Sequence, residues 1–283
     1  MSERPRPVAG SNAPGGSARH AVLLVASAAT VLPLAWMVMA SMRPGAEILA
    51  NPLAWPEKLT LQPFIRAWQV GEFQRHFLAS AVVSAASVTG IVLFGSLAGF
   101  GLARFSIPGG RWLYSLLLLG FLLPTEAIVL SLAGLTEKLE ISGTWLALIG
   151  PYTAIELPTA VFIYRSFFVS IPKAFHEAAW LDGASTWQVY WRVFLPMAWP
   201  ATAVVGIVSF LAVWNEFLLA TLLVVDPDLQ TMPAAFNAFY GYRRSDYQLI
   251  LAGLTVYVLP AIVVYLVFNR VISRSVTEAT LKG

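Results

Sequence analysis

The sequence predicts an all-α integral membrane protein whose chain crosses the bilayer six times. Of its 283 residues, 58% are hydrophobic and only 12% are charged, whereas roughly a quarter of the residues are charged in an ordinary soluble domain. A mean hydropathy of +0.70 leaves too little polar surface to cover a globule, so much of the chain must lie in lipid. Six apolar runs are each long enough for a helix to cross a hydrocarbon core about 30 Å thick.

The six runs define the predicted transmembrane helices. In chain order they are Ala21–Met42, Phe77–Ala103, Trp112–Thr136, Ile141–Tyr164, Ala201–Val225 and Tyr247–Asn269. Three of them contain no charged residue, and the other three contain one glutamate each: Glu126, Glu156 and Glu216. Helices are expected because a backbone in lipid must satisfy its own hydrogen bonds, and the runs are longer than the roughly 10-residue alternating strands of a membrane barrel.

Basic residues are divided unevenly between the two sides of the predicted bundle. One side receives 11 of the 18: Arg4, Arg6, Arg19, Arg104, Arg111, Arg165, Lys173, Arg192, Arg270, Arg274 and Lys282. Because cytoplasmic loops carry an excess of lysine and arginine, this side is predicted to be cytoplasmic. Both termini are then cytoplasmic, and the chain is a multi-pass protein of the inner (plasma) membrane.

The chain begins with a segment that is predicted to lie outside the transmembrane domain. Residues 1–19 are rich in proline, glycine and serine and are predicted to be a disordered cytoplasmic tail. Residues 20–283 are predicted to form one transmembrane domain. A cleaved signal peptide is the competing interpretation, but its apolar core is about 7–15 residues long, whereas the first apolar run has 22.

The longest predicted external loop runs from Arg43 to His76. Four aromatic residues recur in and just after it at nearly helical spacing: Phe64, Trp68, Phe73 and Phe77. This pattern favours a helix lying at the membrane interface, although an irregular loop with scattered aromatic residues fits it about as well.

The sequence contains no set of residues typical of catalysis. It has no cysteine and no Gly-Lys pair, so it lacks the phosphate-binding pattern G-x-x-x-x-G-K-[ST], and any ATP must be hydrolysed by another chain. The three histidines are scattered over separate loops, and neither H-E-x-x-H nor G-x-S-x-G occurs. We therefore predict no catalytic residue, no metal site and no enzyme activity in this chain. A net charge of +3 is too small to indicate nucleic-acid binding.

The polar segment from Ser170 to Pro200 is predicted to form two short helices. Pro172 suits the start of the first helix, and Gly183 supplies a left-handed residue that ends it. Ser185 and Gln188 have the spacing of a capping box that starts the second. The second helix carries aromatic residues at helical spacing: Trp187, Trp191 and Phe194. From this pattern alone, the pair could enter a groove on a soluble partner or rest on lipid headgroups.

The same segment carries a recognisable motif. Glu177-Ala178-Ala179, three residues, Gly183, nine residues and then Val193-Phe194-Leu195-Pro196 match the pattern E-A-A-x3-G-x9-[IV]-x-L-P. The chain thus resembles the permeases of binding-protein-dependent ABC importers, and in particular the smaller six-helix permease of maltose-type carbohydrate importers, over about Ala21 to Gly283. One departure is Ala79-Ser80, where the family usually has Asn-Ser.

This resemblance implies a cytoplasmic coupling loop, residues 170–200, between the fourth and fifth transmembrane helices. The residues expected to couple to an ATPase are Glu177, Ala178, Ala179, Asp182 and Gly183. The expected partners are a homologous second permease, a cytoplasmic ATPase dimer and an extracytoplasmic solute-binding protein. ATP and Mg would be bound by the ATPase, and this chain would hold no cofactor.

The charges within the apolar runs offer a second group of candidates. A carboxylate inside a membrane span costs a few kcal/mol, so it is expected to face a cavity or a partner. Trp214, Asn215, Glu216 and Phe217 are therefore candidates for the translocation path of a sugar or similar polar solute. The alternative is a self-sufficient proton-coupled carrier that uses Glu126, Glu156 and Glu216 as relay groups.

Overall fold

The computed structural model describes residues 16–243 and 246–281, and these residues form α-helices joined by short turns. The helices are α1 (Gly16–Ala40), α2 (Gly45–Ala50), α3 (Gln62–Val70), α4 (Phe73–Arg104), α5 (Gly110–Leu119), α6 (Thr125–Lys138), α7 (Leu146–Ser170), α8 (Lys173–Leu181), α9 (Thr186–Val189), α10 (Leu195–Met197), α11 (Trp199–Trp214), α12 (Leu218–Leu223), α13 (Met232–Tyr242) and α14 (Tyr247–Leu281). Short 3₁₀ turns cover Gly120–Leu122 and Pro227–Leu229, and a π turn covers Tyr190–Phe194. The all-α prediction is confirmed.

Four of the described helices are each long and apolar enough to cross a membrane: α1, α4, α7 and α14. Two bent pairs pass the same test of length and composition, and counting each pair as one span gives six spans. The first pair joins residues 110–122 to α6 at 104°, and the second joins residues 186–197 to α11 at 74°. The six predicted spans therefore correspond to four single helices and two broken pairs, and the second pair starts within the polar segment 170–200, before the predicted fifth span.

The predicted third and fifth spans are each broken in the structure, the third directly before Glu126, where Pro124 suits a break, and the fifth where no break was predicted. The third breaks at Pro124, because proline has no N–H to continue the helical ladder and forces Leu123 into an extended conformation, with ψ 110°. The fifth ends at Trp214, and a new helix, α12, starts at Leu218 after three non-helical residues. The Ile141–Tyr164 span is shifted in sequence, since α7 covers 146–170.

The predicted segments at the start of the chain also have different boundaries in the structure. Helix α1 begins at Gly16, so residues 16–19 are helical, and the rest of the predicted tail lies outside the described residues. In the predicted loop from Arg43 to His76, α3 carries Phe64 and Trp68, whereas Phe73 begins α4. The segment thus contains a helix, α3, which is shorter than the interfacial helix that was predicted and ends before the aromatic residues do.

Close packing of α4 against α7 forms the centre of the fold. Gly95 and Gly99 lie one turn apart on α4, and they let the two backbones approach closely. A Cβ at Gly95 would lie 2.5 Å from Ala160 Cβ, and one at Gly99 would lie 2.7 Å from Tyr164 Cβ. The largest buried apolar cluster surrounds this contact and extends to Phe194 and Val205. This contact therefore holds the end of α4 beside the end of α7, after which the polar segment 170–200 begins.

A second buried cluster joins the N-terminal part of α4 to α3, α13 and α14. Phe73 is fully buried there against Phe239, with ring centroids 5.3 Å apart. Ser80 also links these elements, because its Oγ accepts a 2.8 Å hydrogen bond from the backbone N–H of Met232, the first residue of α13. Ser80 is the retained half of the Ala79-Ser80 pair, so the departure at Ala79 leaves this bond in place.

Candidate functional site

The predicted helix-turn-helix is present, and we refer to residues 173–197 as the hairpin. Helix α8 is followed by Gly183, whose φ of +76° lies in the left-handed region that favours glycine. The turn is closed by the N–H of Ala184, which donates to the Ala179 carbonyl at 3.0 Å. These features confirm the prediction that glycine ends the first helix.

The second half of the hairpin starts as predicted but contains an unpredicted irregularity. Ser185 and Gln188 form the capping box, with bonds of 3.3 Å from the Gln188 N–H to Ser185 Oγ and 2.8 Å from the Ser185 N–H to Gln188 Oε1. After Val189 the helix widens into a π turn, in which the Leu195 N–H donates to the Tyr190 carbonyl. Pro196 follows at once and has no N–H to continue a regular α-helix. The predicted spacing of the aromatic residues assumed a regular helix and therefore did not indicate the widening.

The outer face of the hairpin combines exposed carboxylates with exposed apolar side chains. Glu177, Ala178, Asp182 and Gly183 are exposed, whereas Ala179 is half-buried against the main apolar cluster. Among the described residues, neither carboxylate forms an ion pair. Large apolar side chains lie on the same hairpin and are exposed: Phe175, Trp180, Leu181 and Trp187. Exposed apolar groups beside unpaired charges are typical of a surface that meets a partner.

The inner face of α8 is attached to the ends of the membrane helices by aromatic contacts. His176 packs against Trp180, Phe194 and Phe105, with ring centroids 4.9, 5.9 and 6.2 Å apart. Its Nδ1 is buried and has no hydrogen-bond partner. Burial lowers the pKa of His176 below its ordinary value, and the nearby Arg104 guanidinium lowers it further, while Glu177 partly opposes the shift. The histidine is therefore neutral at neutral pH.

Arg104 is a structurally important residue that the sequence analysis counted only as a positive charge. It is the last residue of α4, and its Nη2 donates a 2.6 Å hydrogen bond to the Ile171 carbonyl just after α7. Its guanidinium also lies 4.5 Å from the centre of the Phe194 ring in the hairpin. These partners are 67 and 90 positions away in sequence, so no local pattern indicates them.

The predicted translocation residues lie at the break between α11 and α12. Glu216 is half-buried, and its carboxylate accepts a 2.6 Å hydrogen bond from the Tyr152 hydroxyl of α7. It also accepts backbone N–H bonds from Leu219 at 2.9 Å and Ala220 at 3.1 Å. A carboxylate at the positive end of a helix is stabilised there, so Glu216 holds the start of α12 and joins it to α7.

The other three residues of this group point in different directions. Trp214 is buried and stacks on Phe210, with ring centroids 5.4 Å apart. Asn215 is exposed, and its Oδ1 accepts a 3.0 Å hydrogen bond from the Tyr257 hydroxyl of α14. Phe217 is exposed and, with Asn215 and Tyr257, lines a pocket of about 330 Å³ whose other walls come from α13. The structure thus brings Asn215 and Phe217 together at one pocket, places Trp214 in the wall of a separate apolar cavity of about 730 Å³, and turns Glu216 toward protein.

The remaining intramembrane glutamates do not join this group. Glu126 is exposed in the first turn of α6, directly after the break at Pro124. Glu156 lies half-buried within α7, two residues before Pro158. Across residues 16–243 and 246–281, no three histidine, aspartate or glutamate side chains are grouped so that they could hold a metal ion.

Comparison with known proteins identifies the family. Residues 91–278 match the family described as the binding-protein-dependent transport system inner membrane component. A diacetylchitobiose uptake system permease protein of Streptomyces coelicolor is 33% identical over 265 residues, which cover 93% of this chain and 88% of that protein. An arabinooligosaccharides transport system permease protein of Halalkalibacterium halodurans is 30% identical over 257 residues, which cover 89% of this chain and 91% of that protein.

A solved structure shows the same fold. It belongs to a bacterial ABC transporter involved in the import of the acidic polysaccharide alginate. The TM-score is 0.76 at 18% sequence identity, and the match covers 90% of this chain and 95% of the other. This chain therefore belongs to the family of inner membrane permease components of binding-protein-dependent transport systems.

Proposed function

We propose that this chain is the permease subunit through which an ATP-driven importer takes up a sugar or oligosaccharide. An extracytoplasmic binding protein delivers the solute, which passes between this chain and a homologous second permease. ATP hydrolysis takes place on a separate cytoplasmic ATPase, which binds Mg and ATP. The sugar assignment is supported by relatives whose names refer to diacetylchitobiose, arabinooligosaccharides and trehalose.

The observation that carries this proposal is the outer face of the hairpin. Glu177 lies on the exposed side of α8, and Leu181, one turn later, is 89% exposed. Large apolar side chains exposed on a polar hairpin are unfavourable in water, and a partner that covers them stabilises the hairpin. The unpaired carboxylates of Glu177 and Asp182 fit basic residues on that partner. We assign the ATPase as the partner.

The pocket at Asn215 and Phe217 is the best candidate for a solute contact. Phe236, Tyr240 and Tyr257 add aromatic rings, and Asn237 adds a second amide. Aromatic faces and amide groups together suit a sugar ring, which has apolar faces and hydroxyl groups at its edge. Because the pocket lies beside the break that ends α11, a change in that break alters its walls.

The first experiment tests the charge on the hairpin. Glu177→Lys reverses it, and we expect the purified importer to retain less ATPase and to lose uptake, because the proposed attraction between Glu177 and a basic residue of the ATPase becomes a repulsion. The matched control is Glu137→Lys, which reverses another exposed helical glutamate, at the end of α6. Normal ATPase retention and uptake in Glu177→Lys would overturn the assignment.

The second experiment tests the turn that orients α8. Gly183→Val places a β-branched residue at φ +76° and should strain the backbone by about 1–2 kcal/mol. No atom lies within 4 Å of a Cβ there, so the effect is one of backbone conformation. Gly143→Val is the matched control, since Gly143 has a φ of +75° and is equally uncrowded. We expect uptake to fall in the first variant and to persist in the second.

The energy source separates this proposal from a proton-coupled carrier. Vesicles containing the complete importer should take up solute when ATP is supplied to the ATPase, with or without a proton gradient. Uptake that followed an imposed proton gradient and ignored ATP would favour the carrier. In that case Glu216, whose carboxylate is bound to Tyr152, would be the first relay group to examine.

A further inference from the structure

A polar cavity of about 630 Å³ lies between the end of α4, the start of α5 and the last turns of α7. Its walls include Leu102, Ser106, Gly110, Arg111, Ser115 and Arg165. None of its lining residues is acidic, so two guanidinium groups face it without a neutralising carboxylate. A cavity with this lining attracts an anion.

The two arginines are held in different ways. Arg165 projects from α7, and its guanidinium lies 4.3 Å from the centre of the Tyr114 ring on α5, which fixes the plane of the group. Its Nε is buried and has no hydrogen-bond partner. Arg111 is exposed in the first turn of α5. A planar guanidinium held against a ring is suited to bind two oxygens of a phosphate.

The backbone at the start of α5 adds to the positive potential. The helix is preceded by Gly109, at φ +73°, and glycine has no side chain with which to cap the first N–H groups. The N–H of Gly110 donates to the Ile107 carbonyl at 2.9 Å and that of Leu113 to the Gly109 carbonyl at 3.0 Å. The N–H groups of Arg111 and Trp112 have no acceptor within the helix, and the helix dipole favours an anion next to them. Ser106 and Ser115 provide two further hydroxyl groups in the same cavity.

The position of the cavity indicates where the anion comes from. Arg165 lies five residues before the end of α7, or about 7.5 Å at 1.5 Å per residue, so it is slightly below the end of a membrane helix. Trp112, Leu113 and Leu116 on α5 are exposed, Trp112 by 82%. Tryptophan is typical of the headgroup level of a bilayer, and the leucines suit acyl chains below it.

We propose that this cavity binds the phosphate headgroup of an anionic phospholipid. Arg165 and Arg111 bind the phosphate, and the acyl chains lie along the exposed apolar side of α5. The site is on the same side of the membrane as the hairpin, because Phe105 in its wall packs against His176 of α8. The distribution of basic residues predicts that this side is cytoplasmic, where anionic lipids give the membrane a negative surface.

Native mass spectrometry of the complete importer tests the proposal. The complex is titrated with phosphatidylglycerol or, for comparison, phosphatidylcholine, and bound lipid is counted for each variant. We expect Arg165→Gln and Arg111→Gln each to weaken phosphatidylglycerol binding about fivefold, which corresponds to about 1 kcal/mol per basic residue near the membrane surface. Arg165→Lys keeps the charge but loses the planar group, and should have an intermediate effect.

Arg19→Gln is the matched control, because Arg19 is exposed and lies at the N-terminal end of the first transmembrane span, outside the cavity. It should bind phosphatidylglycerol like the unmodified protein. Equal binding of both lipids, or equal losses in Arg19→Gln and Arg165→Gln, would overturn the proposal. Displacement of the lipid by inorganic phosphate would overturn the lipid as the source of the anion.

The competing occupant is an acidic surface of the ATPase. If the arginines bind that surface, Arg111→Gln and Arg165→Gln should lower the amount of ATPase that copurifies and leave lipid binding unchanged. That result would also overturn the proposal. Arg111 lies on an exposed first turn, and its replacement removes no buried contact. Arg111→Gln therefore tests the proposal even if Arg165→Gln fails to fold.

Discussion

At the scale of single residues, Glu216 shows how a charge is accommodated in an apolar helix. The carboxylate receives one hydroxyl and two backbone N–H groups, so its charge is spread over three donors. Its position within an apolar run indicated from sequence that it would face protein or a cavity. The identity of its partner was not predictable, because Tyr152 lies 64 residues away on another helix.

We predict that Tyr152→Phe loosens the break between α11 and α12. The change removes the hydroxyl donor to Glu216 and leaves the ring in place. A hydrogen bond to a charged group contributes about 1.5–3 kcal/mol in soluble proteins, and bonds between membrane helices average about 0.6 kcal/mol. We therefore expect a loss of about 1–2 kcal/mol in equilibrium unfolding in mixed micelles.

Tyr257→Phe is the control for that measurement, since it removes a hydroxyl that donates to the neutral amide of Asn215. It should cost less than Tyr152→Phe. Equal costs would mean that the charge on Glu216 adds nothing to its bond with Tyr152.

His176 gives a pH dependence whose sign follows from its lowered pKa. In the unfolded chain the imidazole takes up a proton near its ordinary pKa of about 6.5, whereas in the folded protein it stays neutral to lower pH. The unfolded state then binds more protons than the folded state, so stability falls as the pH decreases below about 6.5. Above that pH, His176 has no effect on the pH dependence.

His176→Phe should remove this contribution while keeping an aromatic ring among Phe105, Trp180 and Phe194. The measurement is the difference in thermal midpoint between the variant and the unmodified protein at several pH values. We expect the difference to grow in favour of the variant as the pH falls. A constant difference would show that the charged groups facing the ring, Arg104 and Glu177, compensate for its protonation.

At the scale of whole elements, the α4–α7 contact depends on two glycines. We predict that adding a methyl group at one of them lowers the stability of the protein. Gly95→Ala places a Cβ 2.5 Å from Ala160 Cβ, and forcing the helices apart should cost about 1–3 kcal/mol. Adding Ala160→Gly makes room and should recover most of the loss in the same unfolding assay.

Gly134→Ala serves as the matched control for that pair of variants, because it is also a helical glycine but has nothing within 4 Å of an added Cβ. Alanine is the better helix former by about 0.5–1 kcal/mol, so this variant should be slightly more stable. A loss of stability in Gly134→Ala would mean that crowding is not what distinguishes Gly95.

The sequence predicts long apolar helices well and their interruptions less well. Helices α1, α4 and α14 lie close to three predicted runs, since an uncharged stretch of this length has few other stable structures in lipid. The apolar runs continue through Pro124 and Asn215, so hydropathy does not register either break. The hairpin was predicted in more detail because glycine and the capping box act through neighbouring residues.

At the scale of the whole molecule, orientation in the membrane can be tested directly. The chain has no cysteine, so a cysteine introduced at Ser185 or Glu137, both exposed, is the only thiol in it. We predict that a membrane-impermeant reagent labels Glu137→Cys in intact cells and labels Ser185→Cys only after permeabilisation. Labelling of Ser185→Cys in intact cells would reverse the predicted orientation.

The outer parts of the molecule are less tightly packed than its centre. No residue in the most apolar part of α1 is buried, whereas 39% of the corresponding part of α7 is. A helix that contributes so little to the internal core is free to face lipid or another subunit along most of its length. The second permease of the proposed importer would provide one such surface.

The attachment of α7 at both ends has a mechanical consequence. One end is bound to Arg104 through Ile171, beside the hairpin, and the other carries Tyr152, which is bound to Glu216. Tyr152 lies 18 residues before Ser170, the last residue of α7, so about 27 Å of helix separates it from the end next to Ile171 at 1.5 Å per residue. We predict that α7 acts as a lever: a displacement of the hairpin by a partner would reach the break that ends α11 and would change the shape of the 330 Å³ pocket.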